Sequence, residues 1–145
     1  METERELPLA LRAAYLALHR RTDTRFTKLK VTADQFVLLA SLADGLALTQ
    51  SELAKRISSD PSTVRAMLVL LEENGFVQRN SHPTDARAKT VSLTASGKRM
   101  YKKLWKVGQP IRDEMYGCMS AEDADMLLLL LRKVTGALND EVVLA

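Results

Sequence analysis

Five helix-start signatures punctuate the 145-residue chain, and one stretch between the third and the fourth breaks helical periodicity. Thr32-Ala-Asp-Gln35 and Thr49-Gln-Ser-Glu52 each set a hydroxyl three residues before a side chain that can reach back. That pattern satisfies free N–H groups at a helix start. Asp60-Pro61 sets a capping carboxylate before a proline at the first helical position. Thr94 and Ser120 are further caps, and Gly45 and Gly75 follow apolar stretches where a left-handed residue can end a helix. These marks predict helices over about 4–28, 33–44, 50–57, 61–74, 95–118 and 121–139. Leu7, Leu11, Ala14, Tyr15 and Leu18 recur at helical spacing in the first, with Phe26 and Leu29 beyond, and Phe36, Leu39, Ala40 and Ala43 share one side of the second. Leu53, Ala54 and Ile57 face inward in the third, and Val64, Met67, Leu68 and Leu71 form the stripe of the fourth.

The interruption reads as β structure. Residues 76–79 and 89–94 are short and β-prone, the second alternating polar with apolar. Between them, residues 80–88 form a polar stretch with one proline, suited to an extended turn. A lone hairpin is marginal in water, so it must lean on the helices. The expected class is mainly α with one small antiparallel β-hairpin. The helices at 50–57 and 61–74 are joined by Ser58-Ser59-Asp60, a spacing suited to a helix-turn-helix.

Length and composition remove several alternatives. A chain of 145 residues, 46% hydrophobic and 27% charged, is about one globular domain. Its longest apolar run, 126–131, is far short of the roughly 18 residues a membrane span requires. The acidic start, Met1-Glu-Thr-Glu-Arg-Glu6, has no apolar segment of the kind a secretory leader needs, so a cytoplasmic protein is expected. The single cysteine, Cys118, can form no internal disulfide. His19 and His82 fall in different elements, and no zinc spacing, glycine-rich phosphate loop or nucleophile motif is present. Neither metal nor cofactor nor enzymatic activity is expected.

Charge is distributed unevenly. Residues 1–51 carry 7 basic and 6 acidic side chains, residues 52–106 carry 11 and 5, and residues 107–145 carry 3 and 7. The net charge of +3 therefore divides into +1, +6 and −4. A basic central segment of this kind fits a polyanionic partner.

The fourth helix supplies a surface for one. With Val64, Met67, Leu68 and Leu71 inward, Ser62, Arg65, Ala66 and Val69 face away, with Thr63 at the side. Small residues permit close approach, hydroxyls suit phosphates and a guanidinium suits base edges. On the hairpin, Asp85, Arg87 and Lys89 alternate. Arg87 can enter a narrow minor groove, and Asp85 makes sense as an internal partner that orients it.

These pieces, in order and at these spacings, resemble the MarR family of bacterial winged helix-turn-helix regulators. The runs that carry the likeness are Thr32-Ala-Asp-Gln-Phe36, Thr49-Gln-Ser-Glu-Leu-Ala54, Ser62-Thr-Val-Arg65 and Leu71-Glu-Glu-Asn-Gly-Phe-Val77. They continue with Pro83-Thr-Asp-Ala-Arg-Ala-Lys89, Val91-Ser-Leu-Thr94 and Gly97. The resemblance implies a winged helix-turn-helix with N- and C-terminal dimerisation helices. Residues 1–30 and 107–145 would form the dimer, and 31–106 the DNA-binding lobe of one continuous domain. Five consecutive leucines, 127–131, wrap more than one helix face and independently fit a homodimer.

The resemblance further implies a sequence-specific transcriptional regulator, a repressor released by a small aromatic effector. Its partner would be double-stranded DNA carrying a pseudo-palindromic operator. The expected DNA-binding set is Thr49, Gln50, Ser51, Ser62, Thr63, Arg65, Ala66, Val69, Arg79, Asp85, Arg87 and Lys89. Ala86 departs from the family pattern, in which an arginine is common there. Tyr15, His19, Arg20 and Trp105 are the expected effector-binding residues. Two other readings compete: a winged-helix protein-interaction module, and an oxidant-sensing regulator acting through Cys118.

Overall fold

A computed structural model describes residues 2–85 and 87–139. The chain divides after Gly108 into two compact units. The first contains α1 (Glu2–Phe26), a single 3-10 turn (Thr27–Leu29), α2 (Ala33–Ser41), β1 (Leu48–Thr49), α3 (Gln50–Arg56) and α4 (Pro61–Glu73). It continues with β2 (Val77–Ser81), β3 (Lys89–Leu93) and α5 (Ala95–Val107). The second contains α6 (Gln109–Gly117) and α7 (Ala121–Leu138).

All five predicted caps form. Thr32 and Thr49 each accept from the backbone N–H three residues on, while Gln35 and Glu52 reach back to the cap. Asp60, Thr94 and Ser120 cap α4, α5 and α7 through their side chains. Helices of this length are marginal alone, so tertiary burial must complete what the caps begin. In the first unit that burial joins Phe26 of α1, Leu38, Leu39 and Leu42 of α2 and its end, Leu53 of α3, and Val64, Leu68 and Leu71 of α4. Val77, Val91 and Leu93 from the strands and Leu104 from α5 close the same cluster. Each such side chain removed from water stabilises the fold by roughly 1.5–3 kcal/mol before entropy is counted.

The structure departs from the sequence expectation at two places. The sheet has three antiparallel strands in the order β1-β3-β2, not two. Leu48 pairs with Val91 and Thr49 with Thr90, but two residues are too few to show alternation in a sequence. The helix expected over 95–118 breaks at Gly108. Pro110, in the first turn of α6, has no N–H to continue the ladder of α5 and its ring would clash with it. In α2 the expected side is packed: Leu39 is buried, Phe36 and Ala43 lie half-buried against the cluster, and Ala33, Gln35 and Leu38 are buried as well. Phe36 joins a row of rings, 5.3 Å from Phe26 and 5.7 Å from Tyr101.

One corner of the first unit is packed without slack. The Thr94 N–H donates to the Phe76 carbonyl at 3.1 Å. The Thr94 hydroxyl donates to the Gly75 carbonyl at 2.6 Å and accepts from the Gly97 N–H at 3.0 Å. Gly75 takes a left-handed φ of 77° in this turn. Gly97 sits so close to the strand entry that a methyl on its Cα would overlap the Phe76 carbonyl. Gly97→Ala should therefore destabilise the fold by about 1–3 kcal/mol, the usual cost of overpacking. Thermal unfolding should register a loss of several degrees, and an unchanged midpoint would contradict this packing.

Candidate nucleic-acid interface

The helix-turn-helix is built from its caps outward. At the start of α3, the Glu52 N–H donates to the Thr49 hydroxyl at 3.1 Å, and the Thr49 N–H donates to the Glu52 carboxylate at 2.9 Å. The Thr49 N–H, and after it the Thr49 hydroxyl, hold the Glu52 carboxyl below its ordinary pKa. The Gln50 amide donates to the Pro61 carbonyl at 3.3 Å, tying α3 to the first turn of α4. Between the helices Ser58 adopts a left-handed φ of 53°. Arg56 bonds Asp44 at 3.3 Å and anchors the end of α3.

At the start of α4, Asp60 accepts the Thr63 N–H at 2.8 Å and the Thr63 hydroxyl at 2.7 Å. These two contacts, the hydroxyl first, hold its carboxyl below the ordinary value. Thr63 is thus occupied by the cap. Val64, Leu68 and Leu71 are buried, and Ser62, Arg65, Ala66 and Val69 all lie exposed on the remaining face. Arg65 forms no ion pair among the described residues. Ser51 is exposed on α3, while Thr49 and Gln50 are half-buried.

The wing consists of β2, β3 and the connection between them. Val77 pairs with Leu93, Arg79 with Val91 and Ser81 with Lys89. Arg79 does not point away from the protein. Its side chain is half-buried, and its buried Nε lies 3.6 Å from Glu72 near the end of α4 with no hydrogen-bond partner, an ion pair that links the wing to that helix. Lys89 is exposed at the start of β3.

At the tip, the Arg87 N–H donates to Asp85 Oδ1 at 3.0 Å, and the same carboxylate lies 3.7 Å from Arg87 Nε. The Arg87 side chain is 95% exposed. His82 Nδ1 accepts the backbone N–H groups of Thr84 at 3.1 Å and Asp85 at 3.2 Å. Helical and strand spacing alone does not reveal the contacts of Glu72 and His82. A glutamate on a polar helix face and a histidine in a loop become informative only once the strand register and turn are known.

The expected effector residues are distributed differently. Tyr15 and His19 meet on α1 with ring centroids 5.5 Å apart. His19 lies 3.3 Å from Asp23 and 3.4 Å from Asp34. Partial desolvation, and then the carboxylates of Asp34 and Asp23, raise the Tyr15 hydroxyl above its ordinary pKa, although half of the side chain stays open. Trp105 lies beside Tyr101 on α5, and Arg20 is exposed. An open groove of about 340 Å³ is lined instead by Ala43, Asp44, Gly45, Leu93, Lys98, Tyr101 and Lys102. Cys118 is exposed, and its thiol donates to the Met115 carbonyl at 3.1 Å. Among the described residues no cluster of three His, Cys, Asp or Glu side chains could hold a metal, and no helix is long and apolar enough to cross a membrane.

Comparison with known proteins agrees with this architecture. The MarR family profile matches residues 31–89. The chain is 34% identical over 116 residues to the multiple antibiotic resistance protein MarR of Escherichia coli K12, covering 79% of this chain and 81% of that protein. It is 29% identical over 107 residues to the transcriptional regulator HosA of Escherichia coli O111:H-, covering 74% and 79%. A crystal structure of a mutant Escherichia coli MarR complexed with operator DNA superposes with a TM-score of 0.79 at 29% identity, covering 91% of this chain and 96% of that one. Fold and relatives together define a winged helix-turn-helix transcriptional regulator. The chain belongs to the MarR family.

The capping carboxylate of α4 gives this site a pH signature. A carboxyl held low in the folded state contributes stability above the unfolded carboxylate range, and that contribution is lost as pH falls through the lowered folded value. Asp60→Ala should be less stable than the parent at pH 7, and the gap should shrink below about pH 4. Thermal unfolding from pH 7 to pH 2.5 measures this. A gap independent of pH would show that the carboxylate charge plays no part in the cap.

Proposed function

We propose that the chain binds double-stranded operator DNA as a homodimer and represses transcription until a small aromatic effector releases it. The observation that carries the DNA-binding reading is the division of α4. Its Val64, Leu68 and Leu71 edge is buried, and its Ser62, Arg65, Ala66 and Val69 edge is open. A rigidly seated helix with a small, hydroxylated and cationic outer face fits the major groove, and the exposed Arg87 of the wing suits a narrow minor groove. The +6 charge of residues 52–106 supplies attraction to phosphate, while base contacts from α4 supply sequence discrimination.

In this reading residues 31–106 form the DNA-binding lobe, and residues 1–30 and 107–145 the dimerisation helices. Exposed Leu7, Leu9 and Leu18 on α1, together with Leu127 to Leu131 on α7, each 37–50% exposed, supply apolar surface for a partner copy. The DNA-facing set is Thr49, Gln50, Ser51, Ser62, Arg65, Ala66, Val69, Arg87 and Lys89. Thr63, Arg79 and Asp85 act by holding the helix start, the wing and the wing arginine. Tyr15, His19, Arg20 and Trp105 are the proposed effector contacts.

Selection of bound sequences from a random duplex pool should enrich a palindrome with half-sites about one helical turn apart. On the selected duplex, Arg65→Ala should reduce discrimination between matched and mismatched bases by roughly 1–3 kcal/mol. Arg87→Ala should weaken binding and diminish preference for A·T-rich flanks. Affinity should fall steeply with salt, as release of counterions from phosphate demands. Titrations in which both variants bind like the parent would overturn these roles, and a salt-independent Kd would favour a protein partner.

A further inference from the structure

The wing tip contains a second tier of positioning that the proposed readout has not used. Asp85 orients Arg87 through its side chain, but Asp85 itself must be oriented by the turn that precedes it. That turn closes on His82. The His82 N–H donates to the Ala88 carbonyl at 3.2 Å, and the Ala88 N–H donates to the Asp85 carbonyl at 3.1 Å. Inside this loop, the N–H groups of Thr84 and Asp85 converge on His82 Nδ1 at 3.1 and 3.2 Å, with the Thr84 hydroxyl 3.2 Å from the same atom. Backbone N–H groups can only donate, so Nδ1 must be an acceptor. The imidazole is therefore the neutral tautomer with its proton on Nε2. It does in this turn what an aspartate or asparagine oxygen does elsewhere, satisfying N–H groups two and three residues on.

We propose that His82 is a positioning residue for the wing arginine: its neutral imidazole holds the Thr84–Asp85 turn, which sets the Asp85 carboxylate that aims Arg87. This rests on the reading of Arg87 as a DNA contact. Protonation at Nδ1 replaces the acceptor with a donor that faces two other donors, and the turn loses its closure.

Two measurements test this, one of them without DNA. In the intact 15N-labelled protein at pH 8, long-range imidazole spectra should show His82 protonated at Nε2 and bare at Nδ1. The Thr84 and Asp85 amide signals should move in His82→Ala and return toward their parental positions in His82→Asn. A proton on Nδ1 at pH 8, or amides indifferent to both substitutions, would overturn the proposal. The second measurement is affinity for the selected duplex at constant salt and pH 8. His82→Ala should weaken binding about ten-fold at pH 8, the loss expected from two modest hydrogen bonds. His82→Asn retains an acceptor of similar reach and should bind within about three-fold of the parent at pH 8. Parental affinity in His82→Ala, or His82→Asn binding no better than His82→Ala, would overturn the proposal. A parent that binds no duplex would overturn the DNA-binding reading and the aiming role with it, while the spectra still report on the turn.

Discussion

Burial of Leu53, Val64, Leu68 and Leu71 in one cluster fixes how α4 is rolled about its own axis, and the rest of the site follows from that roll. A helix turned by 100° presents an entirely different set of side chains. Were α4 free to roll, Arg65 would have no defined neighbour and no defined partner. Three fully buried side chains spread over about two turns remove that freedom. The caps then define where the helix begins, with Asp60 gripping Thr63 at one end and Gln50 bridging to Pro61 from α3. The polar face has little to do with this arrangement, which leaves it available for another molecule.

The fold was legible in the sequence where side chains act within their own segment. Capping residues and helical stripes are local, so the starts of α2, α3, α4, α5 and α7 could be read directly. What was not legible depends on distant partners. The two residues of β1 have no periodicity of their own and are strand only because Val91 and Thr90 lie opposite them. The row of rings that Phe36 of α2 forms with Phe26 and Tyr101 was equally hidden, since those residues lie 10 and 65 positions away. The same distinction divides the site. Ser62, Arg65, Ala66 and Val69 followed from helical spacing alone. The attachment of Arg79 to Glu72 required knowledge of how β2 runs beside the end of α4.

Charge placement adds a further level of organisation. Several acidic residues in the basic central segment are engaged locally. Glu52 and Asp60 serve as caps, Glu72 meets Arg79 and Asp85 meets Arg87. A carboxylate beside a DNA-facing surface would ordinarily repel phosphate. Here the negative charges are turned toward backbone N–H groups or guanidinium groups of the same protein. The cationic excess of the segment therefore rests on side chains such as Arg65 and Lys89, which remain exposed.

The close approach of Gly97 to Phe76 has a mechanical meaning. With no room for one methyl group, and with Thr94 bonded to both Gly75 and Phe76, the root of the wing cannot bend at this corner. The first turn of α5 and the entry to β2 must move as one piece. A displacement of α5 would therefore be delivered to the wing as a rotation of a stiff arm and magnified toward the tip, where Arg87 lies farthest from the pivot.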